Sequence, residues 1–84
     1  MITHKAFTAH LKKILVTARL HVENSAEDVA LASYNYAVYE IGHHGKNTNN
    51  KPLELVAIER DVFREAFQLQ RKIISRLRAA QVTP

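Results

Sequence analysis

The feature that most constrains the fold is an uninterrupted stretch from Pro52 to Ala80, whose apolar residues recur at the spacing of a helical turn. Its central seam and the apolar columns beside it are too wide for a two-stranded coiled coil, which indicates a helix packed against at least two neighbours. The predicted seam is Val56, Glu59, Phe63, Ala66, Gln70, Ile73, Leu77 and Ala80, flanked by Leu55, Val62 and Leu69 on one side and by Phe67 and Ile74 on the other.

Two shorter stretches with helical spacing precede this one. Helix one is predicted over about residues 3–22, and its apolar stripe lies opposite the cations Lys5, Lys12, Lys13 and Arg19. Ser25 and Asp28 have the spacing of a capping box, with Asp in place of Glu or Gln, so helix two is expected over about residues 26–42. Helix two is apolar nearly all round, which is typical of a helix held between two others.

The segment from Tyr34 to Ile41 is the ambiguous part of helix two, because its aromatic and branched residues also suit a strand. A lone strand would find no partner elsewhere in the chain, and this favours the helix. Gly42 and Gly45 are expected to end helix two, since glycine is common just after helix C-termini. A polar loop over about residues 43–51 then leads to helix three.

The predicted fold class is all-α: a single domain over residues 1–84, built as a three-helix antiparallel bundle with a long C-terminal helix over about 52–80. Helix three exceeds helix one by roughly 10 Å at the usual rise per residue. Its uncovered C-terminal third carries apolar side chains, so we expect self-association as a homodimer. The alternative is a helix that bends back or frays after Arg71. The residues predicted for self-association are Gln70, Ile73, Ile74 and Leu77.

Composition narrows the class of protein. The chain has 84 residues, a formal net charge of +4 and no cysteine, which excludes disulfides, thiolate metal ligands and a thiol nucleophile. The lack of cysteine fits a reducing compartment, so a cytoplasmic location is expected. No apolar run is long enough to cross a membrane, and no membrane insertion is expected. The cationic first helix superficially resembles a transit peptide, but it lacks a cleavable apolar core, so we interpret it as structural.

The histidines are the first candidates for a metal site. Antiparallel packing of helices one and two would place His4 near His43 and His44, with the carboxylates of Glu40 and Glu59 close by. No recognised metal-binding spacing is present, so we expect no metal and no other cofactor. Glu59 interrupts the apolar seam and needs a hydrogen-bond donor, for which a tyrosine hydroxyl or His4 is expected. No nucleophile or second carboxylate is paired with it, and the chain is not expected to be an enzyme.

Tyr34, Tyr36 and Tyr39 are interpreted as large core residues, although tyrosines also stack on bases or line pockets. The arginines of helix three form the one charge pattern that suggests a binding role. They lie on a line away from the apolar seam and suit phosphates or acidic protein surfaces, although a solvated helix face looks much the same. The line consists of Arg60, Arg64, Arg71 and Arg78.

The sequence therefore favours a small non-enzymatic regulator, inhibitor or adaptor that acts by protein–protein association, with a partner that is acidic. The alternative is a nucleic-acid-binding protein that uses the arginine line. An enzyme or a metal protein is the third hypothesis. No motif places the chain in a family.

Overall fold

The computed structural model describes residues 2–45 and 50–82, which form three α-helices and no strand. Helix α1 runs His4–Glu23, α2 runs Glu27–Gly45 and α3 runs Leu53–Val82. Every helix contacts the other two, which confirms the predicted all-α bundle of three helices. None of these helices, as far as the structure describes them, is long and apolar enough to cross a membrane.

The turn between α1 and α2 is a Schellman motif, in which a left-handed residue closes the preceding helix. Ser25 has a φ of 63°, and its N–H donates to the carbonyl oxygen of Val22 at 3.1 Å. The N–H of Ala26 donates to the carbonyl oxygen of His21 at 2.8 Å. The predicted capping box of Ser25 and Asp28 is therefore wrong, because Ser25 ends α1 and does not cap α2.

Replacing Ser25 with glycine should raise the free energy of unfolding by about 1 kcal/mol, because a left-handed backbone is strained for a residue with a Cβ. Urea unfolding followed by circular dichroism measures the change. Ser33→Gly is the matched control, since Ser33 lies inside α2 and glycine there should cost about 0.5 to 1 kcal/mol. A Ser25→Gly protein that is less stable than wild type would contradict the assignment of this turn.

Helix α2 continues through Gly42 and ends at Gly45. The predictions that Gly42 ends the helix and that a loop begins directly after it are therefore wrong. Gly42 is exposed, and a Cβ at that position would meet nothing within 4 Å. His43 and His44 occupy the last turn of α2, where a helix favours cations. Residues 46–49 of the predicted loop lie outside the described residues.

The core lies along the line where the three helices meet. Tyr34 is part of it, whereas Val29, Tyr36 and Tyr39 are exposed, so the predictions that α2 is enclosed all round and that all three tyrosines are core residues are wrong. The buried apolar residues are Phe7, Leu11, Leu15 and Ala18 of α1, Ala30, Tyr34, Ala37 and Ile41 of α2, and Leu55, Ile58, Val62, Ala66 and Leu69 of α3.

The buried face of α3 is rotated about the helix axis from the predicted seam. Its centre is the column that was predicted as a flank, namely Leu55, Val62 and Leu69. Exposed positions of the predicted seam include Val56, Phe63 and Gln70. Both columns have helical spacing, so periodicity alone does not choose between them. The observed orientation also buries Ile58 and keeps the arginine line away from the core.

A polar network of three side chains joins the helices near the middle of the bundle. The guanidinium of Arg19 donates to the two carboxylate oxygens of Glu65 at 2.8 and 2.6 Å, and the hydroxyl of Tyr34 donates to Glu65 Oε1 at 3.2 Å. The hydrogen bonds from Arg19 hold the pKa of Glu65 below its usual range. Burial and the nearby charge of Glu65 raise the pKa of Tyr34 to about 12. Each helix contributes one side chain, so the network fixes their relative positions.

Glu65→Gln should lower the free energy of unfolding by about 2 kcal/mol at pH 7, since hydrogen bonds to a charged acceptor are lost. The folded-state pKa of Glu65 lies below 4.5, so its contribution is complete above pH 4.5 and disappears as the pH falls through that folded-state value. Wild type and variant should therefore converge in stability at low pH in urea titrations. Glu54→Gln is the control: its pair with Lys12 is exposed and should matter little.

The C-terminal part of α3 extends past the turn between α1 and α2. Lys72 and Arg76 reach back to Glu27 at the start of α2, at 3.9 and 2.7 Å. Every residue in the range 74–81 is exposed, and residues 77–82 continue the helix for roughly 9 Å beyond these ion pairs. The predicted excess length of helix three is confirmed, and the alternative of a helix that bends back or frays is not what the structure shows.

Candidate docking surface

Apolar side chains form a row along the solvent side of α3. Phe63 and Phe67 are 46% and 60% exposed, and Val56 and Ile74 are also exposed. Positions 56, 63, 67 and 74 stay on one side of the helix over about 27 Å. A half-exposed phenylalanine forgoes about 1 kcal/mol of burial free energy. A row of exposed apolar residues on one side of a helix, in contrast to scattered apolar residues, is typical of a binding surface.

The row borders a groove of about 530 Å³ between α2 and α3. No acidic side chain lines it among the described residues. Tyr39 and Gly42 lie on the same side of α2 as the groove by helical spacing, and Tyr39 is exposed and packs edge-on against His43 at 4.4 Å. The lining residues are Asn35 and Val38 of α2 and Arg60, Phe63, Arg64, Ala66, Phe67 and Gln70 of α3.

Two arginines of the predicted line are part of the groove itself and lie beside Phe63, so the prediction that the line faces away from the seam containing Phe63 is wrong. Arg60 and Arg64 both line it, and the Arg64 side chain also donates to Asp61 at 3.1 Å. Asp61 is one turn away from Arg64, on the exposed surface, so the pair contributes little to stability and leaves the guanidinium accessible. No carboxylate among the described residues forms an ion pair with Arg60.

The other two arginines continue the line toward the C-terminus of α3. The Cζ atom of Arg71 lies 5.7 Å from the centroid of the Phe67 ring, a cation–π contact that holds the guanidinium beside the apolar row. Arg78 is exposed on the part of α3 that extends past the other helices. We call the row, the groove, the neighbouring Tyr39 and the four arginines together the α2–α3 face. Its residues are Asn35, Val38, Tyr39, Val56, Arg60, Phe63, Arg64, Ala66, Phe67, Gln70, Arg71, Ile74 and Arg78.

The residues predicted for self-association lie in two different environments. Ile73 is half-buried and packs against the core, so only part of its side chain is accessible to an interface. The assignment of Ile73 to an exposed overhang is therefore wrong. Gln70 lines the groove, and Ile74 and Leu77 are 39% and 59% exposed. Self-association through Gln70, Ile73, Ile74 and Leu77 stays a prediction.

Histidines join α1 to α2 near one end of the bundle. The Nδ1 atom of His4 lies 2.9 Å from Nε2 of His44, whose ring stacks on Phe7 at 4.2 Å. Burial, together with the charges of His4 and Lys51, lowers the pKa of His44. His4 and His44 meet as predicted, but Glu40 pairs with His10 at 2.9 Å. In the part of the chain that the structure describes, no three His, Asp or Glu side chains come together to hold a metal ion.

Glu59 is buried in the bundle and pairs with a residue that precedes α3. The ammonium of Lys51 donates to both carboxylate oxygens of Glu59, at 3.0 and 3.2 Å. The predicted partners, a tyrosine hydroxyl or His4, are wrong. The hydroxyl of Tyr34 reaches Glu65, and His4 reaches a histidine of α2. The pair anchors the segment that enters α3, since a buried carboxylate requires a donor.

The sequence predicts the arginine line but not the α2 side of this surface. Asn35 and Val38 face the groove, and Tyr39 is exposed beside it. Asn35 was the available signal, because a polar residue within an otherwise apolar helix indicates a side that faces solvent. Comparison with protein families, with curated proteins and with solved structures gives no match.

Proposed function

We propose that this chain is a small non-enzymatic protein that acts as a regulator, inhibitor or adaptor by binding an acidic partner protein through the α2–α3 face. The observation that supports this function is the row of exposed apolar side chains on α3 with arginines along its side. Apolar area drives association, while arginines select for carboxylates that can accept paired hydrogen bonds. Aromatic and arginine side chains are also the residues most enriched at interface positions that dominate affinity.

Charge favours an acidic partner over a second copy of the same chain. From residue 66 to residue 82, α3 carries Arg71, Lys72, Arg76 and Arg78 and no acidic residue. Glu27 offsets part of this charge within the bundle. A twofold dimer through the C-terminal part of α3 would place two such segments together, and like charges across an interface are costly. The predicted homodimer is therefore an alternative, in which Leu77 next to this surface would be buried. Light scattering tests it, because a wild-type dimer that Leu77→Asp converts to a monomer would support the homodimer.

Nucleic acid is the second candidate partner, and a specific observation favours it. Phe63 and Phe67 are exposed beside arginines, and exposed aromatic rings with cations form stacking platforms for single strands. The aliphatic side chains of Val38, Val56 and Ile74 have no role in such a platform. They extend the apolar surface, as expected for a protein partner.

Site-specific photo-crosslinking in extracts of the source organism tests the proposed function. A crosslinking residue in place of Phe67 should give a discrete product with one acidic protein. The same residue in place of Val16, which is similarly exposed on α1, should not. Equal products from both positions, or none from position 67, would contradict the proposal. A nuclease-sensitive product from position 67 would replace it with the nucleic-acid function.

A further inference from the structure

We infer that the occupant of the α2–α3 face is a single amphipathic helix of the partner, with an apolar stripe and acidic residues along one flank. This inference rests on the proposed function and goes further, because it specifies the secondary structure and the residue pattern of the partner. An acidic loop or the edge of a sheet would satisfy the proposed function but not this inference.

The α2–α3 face has the shape of a groove between two helices. Helices α2 and α3 pack side by side, and α1 covers the seam between them on one side only. The other side of the same seam is the groove lined by Val38, Phe63 and Phe67. A helix is the element that fits the groove between two helices, and adding one there would complete a four-helix bundle.

The length of the apolar row matches a helix of several turns. The apolar row from Val56 to Ile74 spans about 27 Å, which corresponds to a partner helix of about 18 residues. Small residues allow such a helix to approach closely. Ala66 lines the groove, and a Cβ at Gly42, on the same side of α2, would contact no other side chain or helix within 4 Å. Phe63 and Phe67 are large enough to insert between side chains of the incoming helix.

The arginines of α3 give one edge of this face a positive charge. Arg60, Arg64, Arg71 and Arg78 follow one another at separations of four, seven and seven residues, so they form one edge beside the apolar row. A helix that lies along α3 would meet them with carboxylates at matching separations, as at the charged edges of coiled coils. Because arginine forms paired hydrogen bonds with carboxylates, this edge also fixes the register of the partner helix.

Two synthetic peptides of about 18 residues serve as probes. Both carry leucine at helical spacing; one has glutamate along a single flank, and the other has lysine at the same positions. The glutamate peptide should bind, gain helical circular dichroism signal on binding and shift amide resonances of the α2–α3 face. The lysine peptide should bind at least about tenfold more weakly, because its charges oppose the arginines.

A charge-reversed protein provides the matched control. Replacing all four arginines of this edge with glutamate reverses its charge and should reverse the preference, so that the lysine peptide binds more tightly than the glutamate peptide. Equal affinity of the two peptides, resonance shifts confined to α1, or no binding of the glutamate peptide would overturn the inference. A crosslinked partner at position 67 together with no peptide binding would leave the proposed function standing and reject the helical occupant alone.

Discussion

Replacing Leu55 with alanine should lower the free energy of unfolding by about 3 kcal/mol, because a fully buried leucine would leave a cavity at the meeting line of the helices. Leu55 is 0% exposed and lies in the column that the structure places at the centre of the α3 interface. Its neighbours in that column are similarly buried, so the surrounding side chains have little freedom to fill the gap. Urea unfolding monitored by circular dichroism measures the loss.

Leu53→Ala is the matched control for this prediction. Leu53 is two positions earlier in the same helix and 88% exposed, so the same truncation should change stability by less than about 0.5 kcal/mol. The pair of variants tests the orientation of α3 about its axis. Comparable losses at both positions, or a small loss at Leu55, would mean that α3 presents a different side to the core.

Truncating the two exposed phenylalanines should abolish most of the partner affinity without affecting the fold. The double variant Phe63→Ala and Phe67→Ala is expected to bind the crosslinked partner at least about 100-fold more weakly, since central aromatic residues each account for about 2 kcal/mol or more of binding. Its free energy of unfolding should stay within about 1 kcal/mol of wild type, because both rings already face solvent. Calorimetric titration and urea unfolding provide the two measurements.

Val16→Ala with Leu20→Ala is the control on α1, outside the α2–α3 face. These α1 residues are 56% and 52% exposed, so the double change removes comparably accessible apolar groups. Partner affinity should be unchanged. Weaker binding from the α1 variant than from the phenylalanine variant would place the docking surface elsewhere.

The number, order and approximate ends of the helices follow directly from sequence periodicity, because each helix buries a stripe that recurs every three or four residues. The predicted capping box at Ser25 is wrong for a physical reason. Serine is common at helix N-caps, whereas its left-handed conformation here is fixed by backbone hydrogen bonds to residues of α1. The predicted helix end at Gly42 is also wrong. Glycine marks a helix end only where the backbone adopts a left-handed conformation, and α2 continues through Gly42.

The orientation of α3 is the part of the fold that the sequence does not determine alone. Leu55 and Val56 begin two columns of nearly equal apolar content. Only packing against α1 and α2 determines that the column of Leu55 is the buried one. This selection has a functional consequence. It leaves the second column, with Phe63 and Phe67, on the surface beside the arginines. The candidate docking surface is therefore determined by the packing of the three helices and does not follow from the sequence of α3 alone.

The measurement that tests the docking surface most directly is amide chemical-shift mapping of the isotope-labelled protein during titration with the crosslinked partner. We predict that the shifted resonances cluster in residues 35–42 of α2 and 56–78 of α3, with little change along the exposed side of α1. Shifts centred on α1, or spread evenly over the three helices, would contradict the assignment of the α2–α3 face as the place where this protein binds its partner.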